Sequence, residues 1–142
     1  LIEHTDCLLT SVGPSGEFAA PWLNDAADAG KIEPSELRDM TVGNIMGCFL
    51  PKPELSAKRR KMVERINQRW TGITLAQLNH CARVAPGRGM PGVTAFAIGH
   101  GKAQLIVESL KLGLINCLVV DSQLAEGLGE MVPELSSEPL KD

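Results

Sequence analysis

The sequence predicts an α/β fold with a mainly parallel sheet and helices on both faces. Three observations carry this expectation. Val93 to Ile98 is an apolar strand, Gly99-His100-Gly101 a tight glycine turn, Lys102 to Leu112 an amphipathic helix, and Leu114 to Val120 a second apolar strand. A strand, helix and strand of these lengths form a βαβ crossover, which requires parallel strands and favours burial of both sheet faces. The chain has 142 residues, the size of one domain, and 44% hydrophobic content supports a sizeable core. A separate apolar run, Cys7 to Val12, ends abruptly at Gly13-Pro14-Ser15-Gly16 and adds a strand.

The elements follow in order. Pro21 to Ala29 is expected to form a short helix closed by Gly30. Pro34 suits the first turn of a helix that runs to about Met40. Gly43 to Leu50 is β-like and is stopped by Pro51-Lys52-Pro53. Ser56 to Trp70 has Met62, Ile66 and Trp70 at four-residue intervals, with Val63 beside them, as a helix would. Thr74 caps a helix from Leu75 to about Cys81. Pro86 to Gly92 is a loop by composition. The helix from Lys102 places Ala103, Ile106, Val107 and Leu110 on one face and ends at Gly113. Asp121 or Ser122 caps a last helix that runs to about Met131. Residues 1–132 are thus one unit, and 133–142 a polar, frayed tail.

Composition removes several classes of function. The net charge is −3, against a dedicated nucleic-acid binder, which carries a basic surplus. Lys58-Arg59-Arg60-Lys61, with Arg65 and Arg69, is the only basic cluster; Glu64 interrupts it, and it fits a solvated helix face. No apolar run approaches the roughly 20 residues of a membrane span. Leu1-Ile2-Glu3-His4 has neither a basic leader nor an initiator Met, so the chain is expected to be a fragment or a processed product. Cys7, Cys48, Cys81 and Cys117 lack any zinc spacing. Cys7, Cys48 and Cys117 sit in apolar runs, as buried reduced thiols of a cytoplasmic protein do. His4, His80 and His100 form no metal pair, and no GxSxG elbow or Cys–His partnership points to catalysis. Neither a metal nor a cofactor is expected.

Gly99-His100-Gly101-Lys102 is the motif with chemistry. It lies between a strand and a helix, where free backbone N–H groups and the helix dipole favour an anion. The glycines admit a phosphate or carboxylate to the backbone, and Lys102 adds a mobile positive charge. The plainer alternative is a tight connector with a solvated lysine. The turn matches neither a Walker A loop nor the dinucleotide fingerprint.

Several segments resemble the sugar-binding effector domain of SorC-type bacterial transcriptional regulators. Gly99-x-x-Lys102-Ala103, then Gly113-Leu114-Ile115-Asn116-x-Leu118-Val119-x-Asp121, then Ala125-x-x-Leu128, is similar to that family's glycine–lysine turn, strand and final helix. Gly43-Asn44-Ile45-x-Gly47-x-Phe49 and Ile73-Thr74-Leu75-x-Gln77-Leu78 resemble two further family segments. The likeness covers the C-terminal half of such a domain, with no counterpart of the family's helix-turn-helix. It departs at Asn44, where the family has an acidic residue, at Ile98, where it has a glycine, and in a longer Pro86–Gly92 loop.

The resemblance implies a Rossmann-like sheet, similar to sugar-phosphate isomerases, and a sugar, polyol or sugar phosphate as effector. It implies that Lys102 binds the anionic end, helped by backbone N–H groups of Gly99 and Gly101. Asn44 would hydrogen-bond hydroxyls, and Asp121 is a further ligand-binding candidate. It also implies a homo-oligomer that reaches operator DNA only through a helix-turn-helix domain absent from this chain. The alternatives are a sugar-phosphate isomerase or deaminase-like enzyme, which needs a general base near the bound carbon, and an oligomerisation module with a decayed site.

Overall fold

The structure, a computed structural model, describes residues 5–15 and 22–132. The expected tail at 133–142, the start of the first helix at Pro21 and the Gly16 end of the first strand's stop signal lie outside them.

The strands are β1 (Cys7–Pro14), β2 (Thr41–Ile45), β3 (Cys48–Pro51), β4 (Gly92–Ala97) and β5 (Cys117–Val120). The helices are α1 (Trp22–Gly30), α2 (Pro34–Met40), α3 (Ala57–Asn67), α4 (Leu75–Val84), α5 (Ala103–Lys111) and α6 (Ser122–Met131). One sheet of order β3-β2-β1-β4-β5 joins the strands. β1, β4 and β5 pair in parallel, and β2 is antiparallel to both β1 and β3. The fold is therefore a Rossmann-like α/β sheet in which every strand but β2 points the same way.

Local signals set most boundaries. α2 starts at Pro34 and ends at Met40, and the Thr41 hydroxyl donates to Leu37 O. At α4, Gln77 N–H donates to Thr74 Oγ1 and Thr74 N–H donates to Gln77 Oε1, a reciprocal cap. α5 ends in a Schellman motif: Gly113, at φ +64°, donates to Leu110 O, and Leu114 donates to Ser109 O. α1 ends the same way one residue later than expected. Lys31 takes the left-handed position at φ +56°, while Gly30 stays helical, and a Cβ there would press on Ile66.

Three expectations need correction. Gly43–Leu50 is not one strand but the hairpin β2–β3, turned by Met46 and Gly47 at φ +52° and +88°. Both turn positions have positive φ, as a type I′ hairpin turn requires, but Met is not a residue that announces one. The helix before Trp70 ends at Asn67, so Trp70 is not on its stripe. Asn67 instead clamps β3, accepting from Phe49 N–H and donating to Phe49 O.

The third correction concerns burial. α4, α5 and α6 cover one sheet face through Val12, Ile45, Leu50, Val93, Ala95 and Ala97. α1, α2 and α3 cover the other face only over the hairpin, where Phe49 joins Leu23, Ala27, Leu37, Met40, Val63 and Ile66. Over β1, β4 and β5 that second face is open: Leu9 is 65% exposed, Ile98 71%, and Phe96 and Val119 46% each. Cys7 and Cys117 are exposed on these strands too, contrary to expectation, whereas Cys48 and Cys81 are buried. Burial pushes both of those thiols up in pKa.

Candidate functional site

In open α/β sheets ligands bind beyond the carboxyl ends of the parallel strands. Here that edge carries Gly13–Ser15 after β1, Gly99–Lys102 after β4 and Asp121 after β5. β1 and β4 are adjacent, so the first two segments stand side by side.

The glycine turn is held from below. Gly99, at φ +92°, donates its N–H to both carboxylate oxygens of Asp121, at 3.1 and 3.2 Å. Asp121 also caps α6, accepting from Leu124 N–H at 3.0 Å. These donors, Gly99 first and Leu124 next, hold its carboxyl below the usual carboxylate range, and the Lys102 cation adds to the effect. The imidazole of His100 lies against Gly127, where a Cβ would come within 2.8 Å of it, and its Nε2 is 3.6 Å from a Glu130 oxygen. Asp121 and His100 thus dock the turn on α6. The outer side is open, since a Cβ at Gly99 or Gly101 would meet nothing within 4 Å. Lys102, half-buried, closes a 3₁₀ turn (His100–Lys102), and its N–H donates to Gly99 O at 3.3 Å.

The Gly99 N–H is therefore engaged by Asp121 rather than turned to a ligand. Asp121 is a positioning group for the turn. Gly101 and the Lys102 ammonium remain on the exposed rim as groups that could meet an anion.

Asn44 is on β2, paired with Gly13. It is 9% exposed, and its Nδ2 donates to Gly13 O at 3.0 Å. Gly13 has no room for a side chain, since a Cβ there would sit 2.6 Å from Asn44 Nδ2. Oδ1 of Asn44 has no protein partner among the described residues, and it is not sealed from solvent. Asn44 lines a cavity of about 380 Å³ together with Leu9, Ser11, Met46, Gly47 and Trp70. That cavity is not lined by Gly99, Gly101, Lys102 or Asp121. Asn44 and the glycine turn occupy one edge without sharing one pocket. Two strand spacings separate β2 from β4, roughly 10 Å.

Sequence reasoning missed Trp70 and Ser11. The signal for Trp70 was Thr71-Gly72, which breaks a helix and leaves the indole in a loop. Asn116, within the segment that carries the resemblance, is structural: it accepts from Val93 N–H and donates to Ala82 O, both at 2.8 Å. The basic cluster is a largely exposed face of α3, with Arg60 hydrogen-bonded to Lys52 O and Pro53 O. Among the described residues, no group of three or more His, Cys, Asp or Glu side chains could hold a metal ion. No helix among them is long and apolar enough to cross a membrane.

No protein-family model matches the chain, and no curated protein does. Solved structures do. A transcriptional regulator from Streptococcus pneumoniae superposes with a TM-score of 0.61 at 22% identity, over 92% of this chain and 44% of its own. A DeoR family transcriptional regulator from Listeria monocytogenes superposes with a TM-score of 0.59 at 23% identity, over 89% of this chain and 45% of its own. The chain spans less than half the length of either structure, and at these identities what it shares with the two regulators is the fold.

Proposed function

We propose that this chain is the ligand-sensing part of a sugar-responsive bacterial transcriptional regulator, and not an enzyme. Its effector is a small sugar, polyol or sugar phosphate held at the carboxyl edge of the sheet. One observation carries the reading: the open Gly99–Lys102 turn after β4, and Asn44 on β2, whose Oδ1 has no protein partner among the described residues, stand on that edge two strands apart. A phosphorylated sugar can span that separation, with its phosphate at Lys102 and Gly101 and its hydroxyls at Asn44. The likeness to two proteins named as transcriptional regulators, one of the DeoR family, supports the same reading. So does the resemblance to SorC-type effector domains. Operator contact belongs to a helix-turn-helix domain outside this sequence.

An isomerase or deaminase needs a general base beside the bound carbon. Asp121, the carboxylate at this edge, accepts from Gly99 and Leu124 and holds the turn. Self-association belongs to the proposal, and the open apolar face of β1, β4 and β5 is the surface it would use.

Calorimetry of the 142-residue chain against a panel of sugars, polyols and their phosphates tests the reading. Saturable binding weakened by both Lys102→Ala and Asn44→Ala is the expected result. Binding of no panel member rejects it and favours the oligomerisation module; turnover of a sugar phosphate favours the enzyme.

A further inference from the structure

Lys31, Arg65 and Arg69 line one cavity of about 430 Å³, and among the described residues no carboxylate lines it. The packing of α1 on α3 brings them together. Gly30, the last residue of α1, lies so close to α3 that a Cβ there would sit 2.9 Å from Ile66 Cγ1. The turn after it is closed by Lys31 N–H on Asp28 O and Ile32 N–H on Ala27 O. Lys31 holds the left-handed position of that turn, at φ +56°, a position glycine takes at less cost. Along α3, Met62, Arg65, Ile66 and Arg69 follow the i, i+3, i+4, i+7 spacing of one stripe. Arg69 stands just past the helix, where its N–H donates to Ile66 O. Ile32 and Met62 are half-buried and Ile66 is buried, so the lining combines apolar surface with exposed cations.

Cations at the ends of two helices complement the free carbonyls there, and that role needs no ligand. It leaves the pairing of these side chains unexplained. The ion pairs among the described residues are Arg88–Asp6, His100–Glu130 and Lys111–Glu108. Lys31, Arg65 and Arg69 take part in none of them. The nearby acids Asp28, Glu33 and Glu36 line a separate cavity, which shares only Lys31 and Ile32 with this one. Three like charges around one concave surface repel one another, and an anion between them turns that repulsion into attraction. The chain as a whole carries a net charge of −3, so the positive charge here is a local concentration.

The lining chemistry names the class of anion. Each guanidinium presents a planar fork that matches two oxygens of a phosphate or carboxylate, and the lysine adds a point charge. The Gln68 amide, also on the lining, can donate to a further oxygen. A volume of about 430 Å³ suits a small molecule. A nucleic-acid backbone would engage the exposed row Lys58, Arg59 and Lys61 instead, which does not line the cavity.

We propose that this cavity is a second anion site, taking a small polyanion (a phosphate ester or a di- or tricarboxylate) between Lys31 and the two arginines. It shares no lining residue with the Asn44 cavity and includes none of Gly99, Gly101 or Lys102. The proposal is independent of the sugar-binding reading.

Calorimetry of the 142-residue chain with pyrophosphate and with citrate, at fixed low ionic strength, tests it. Saturable binding of at least one of them is expected. Arg65→Gln and Arg69→Gln should each weaken it about tenfold or more, the loss of a charge-assisted hydrogen bond. Both side chains are exposed, so the fold should survive either change. Arg59→Gln removes an exposed cation from the other end of α3, outside the cavity, and should change binding less than about twofold. Pyrophosphate alone would mark a phosphate site and citrate alone a carboxylate site; either supports the proposal. Binding of neither overturns it. So does a loss with Arg59→Gln as large as with Arg65→Gln, which would mean diffuse attraction. Binding that Lys102→Ala abolishes and Arg65→Gln leaves intact also overturns it, because the anion then sits at the glycine turn. Capture of duplex DNA of arbitrary sequence with neither small anion bound would assign the face to a nucleic-acid backbone and overturn it too. The sugar-binding reading is tested at Lys102 and Asn44, so either proposal can fall alone.

Discussion

Phe49 and Phe96 point from the same face of one sheet. Phe49, on the hairpin, is 2% exposed beneath α1, α2 and α3; Phe96, two strands beyond the hairpin, is 46% exposed with no helix over it among the described residues. Asn44 sits at the seam, on the hairpin's inner strand and against Gly13 of β1. The difference teaches where such a fold keeps its rigidity and where it keeps its surface. The covered half anchors the strand that carries Asn44, and the open half leaves Leu9, Phe96, Ile98 and Val119 for contacts with something else. The candidate ligand cavity lies on the boundary.

The largest expected effect tests the contrast itself. Phe49→Ala should cost about 3–5 kcal/mol of stability, the range for a buried aromatic truncation. Phe96→Ala should cost no more than about 1 kcal/mol, since exposed sites tolerate change. Urea unfolding of both variants measures this. A cost at Phe96 as large as at Phe49 would mean that the open face is packed in solution.

Next in size is Lys102→Ala. Loss of a charge-assisted hydrogen bond should weaken a phosphorylated sugar by about 1.5–3 kcal/mol, roughly ten- to a hundredfold. The unphosphorylated sugar should lose much less, and the unfolding midpoint should hardly move. Calorimetry that finds one affinity for wild type and variant with every phosphorylated ligand would return the glycine turn to the status of a connector.

Phe96→Lys addresses the open half directly. A charge in the middle of an apolar contact should weaken self-association about tenfold or more, ~1.4 kcal/mol. Sedimentation across a concentration series reads this. A wild-type chain that stays monomeric at high concentration would remove self-association from the proposed function.

The smallest effect concerns Asp121→Asn. The folded-state pKa of Asp121 is depressed by the Gly99 and Leu124 N–H groups. Its contribution to stability is therefore complete above the ordinary carboxylate value, about 3.9. It drains away as pH falls from there through the lower folded value. Asn can still cap α6, so the variant should resemble wild type in helix content while its stability falls less steeply in acid. Identical acid limbs in pH-dependent unfolding would show that the carboxylate charge does nothing for the turn.

The sequence by itself determined the elements whose limits are local. Pro34, the Thr74 cap, Gly113 and the Asp121 cap each act within one helical turn, so α2, the starts of α4 and α6 and the end of α5 are legible. The βαβ unit is legible for the same reason, because a glycine turn joins an apolar strand to an amphipathic helix. Other features depend on segments far apart in the chain, and only the tertiary structure decided them. Thr94, Phe96 and Ile98 alternate with Ala95 and Ala97, a pattern apolar enough to suit a strand buried on both sides. Whether a helix covers the Phe96 side depends on where α1, α2 and α3 settle, and they settle on the hairpin. The hairpin was hidden because Met46 takes a positive φ that its side chain does not favour. Lys102 was legible as a cation in a glycine turn, and Asn44 as a candidate only through the family resemblance. The packing of Trp70 was not, because it exists only where a loop after α3 lays an indole across the backbone of Gly47, some twenty residues earlier in the chain.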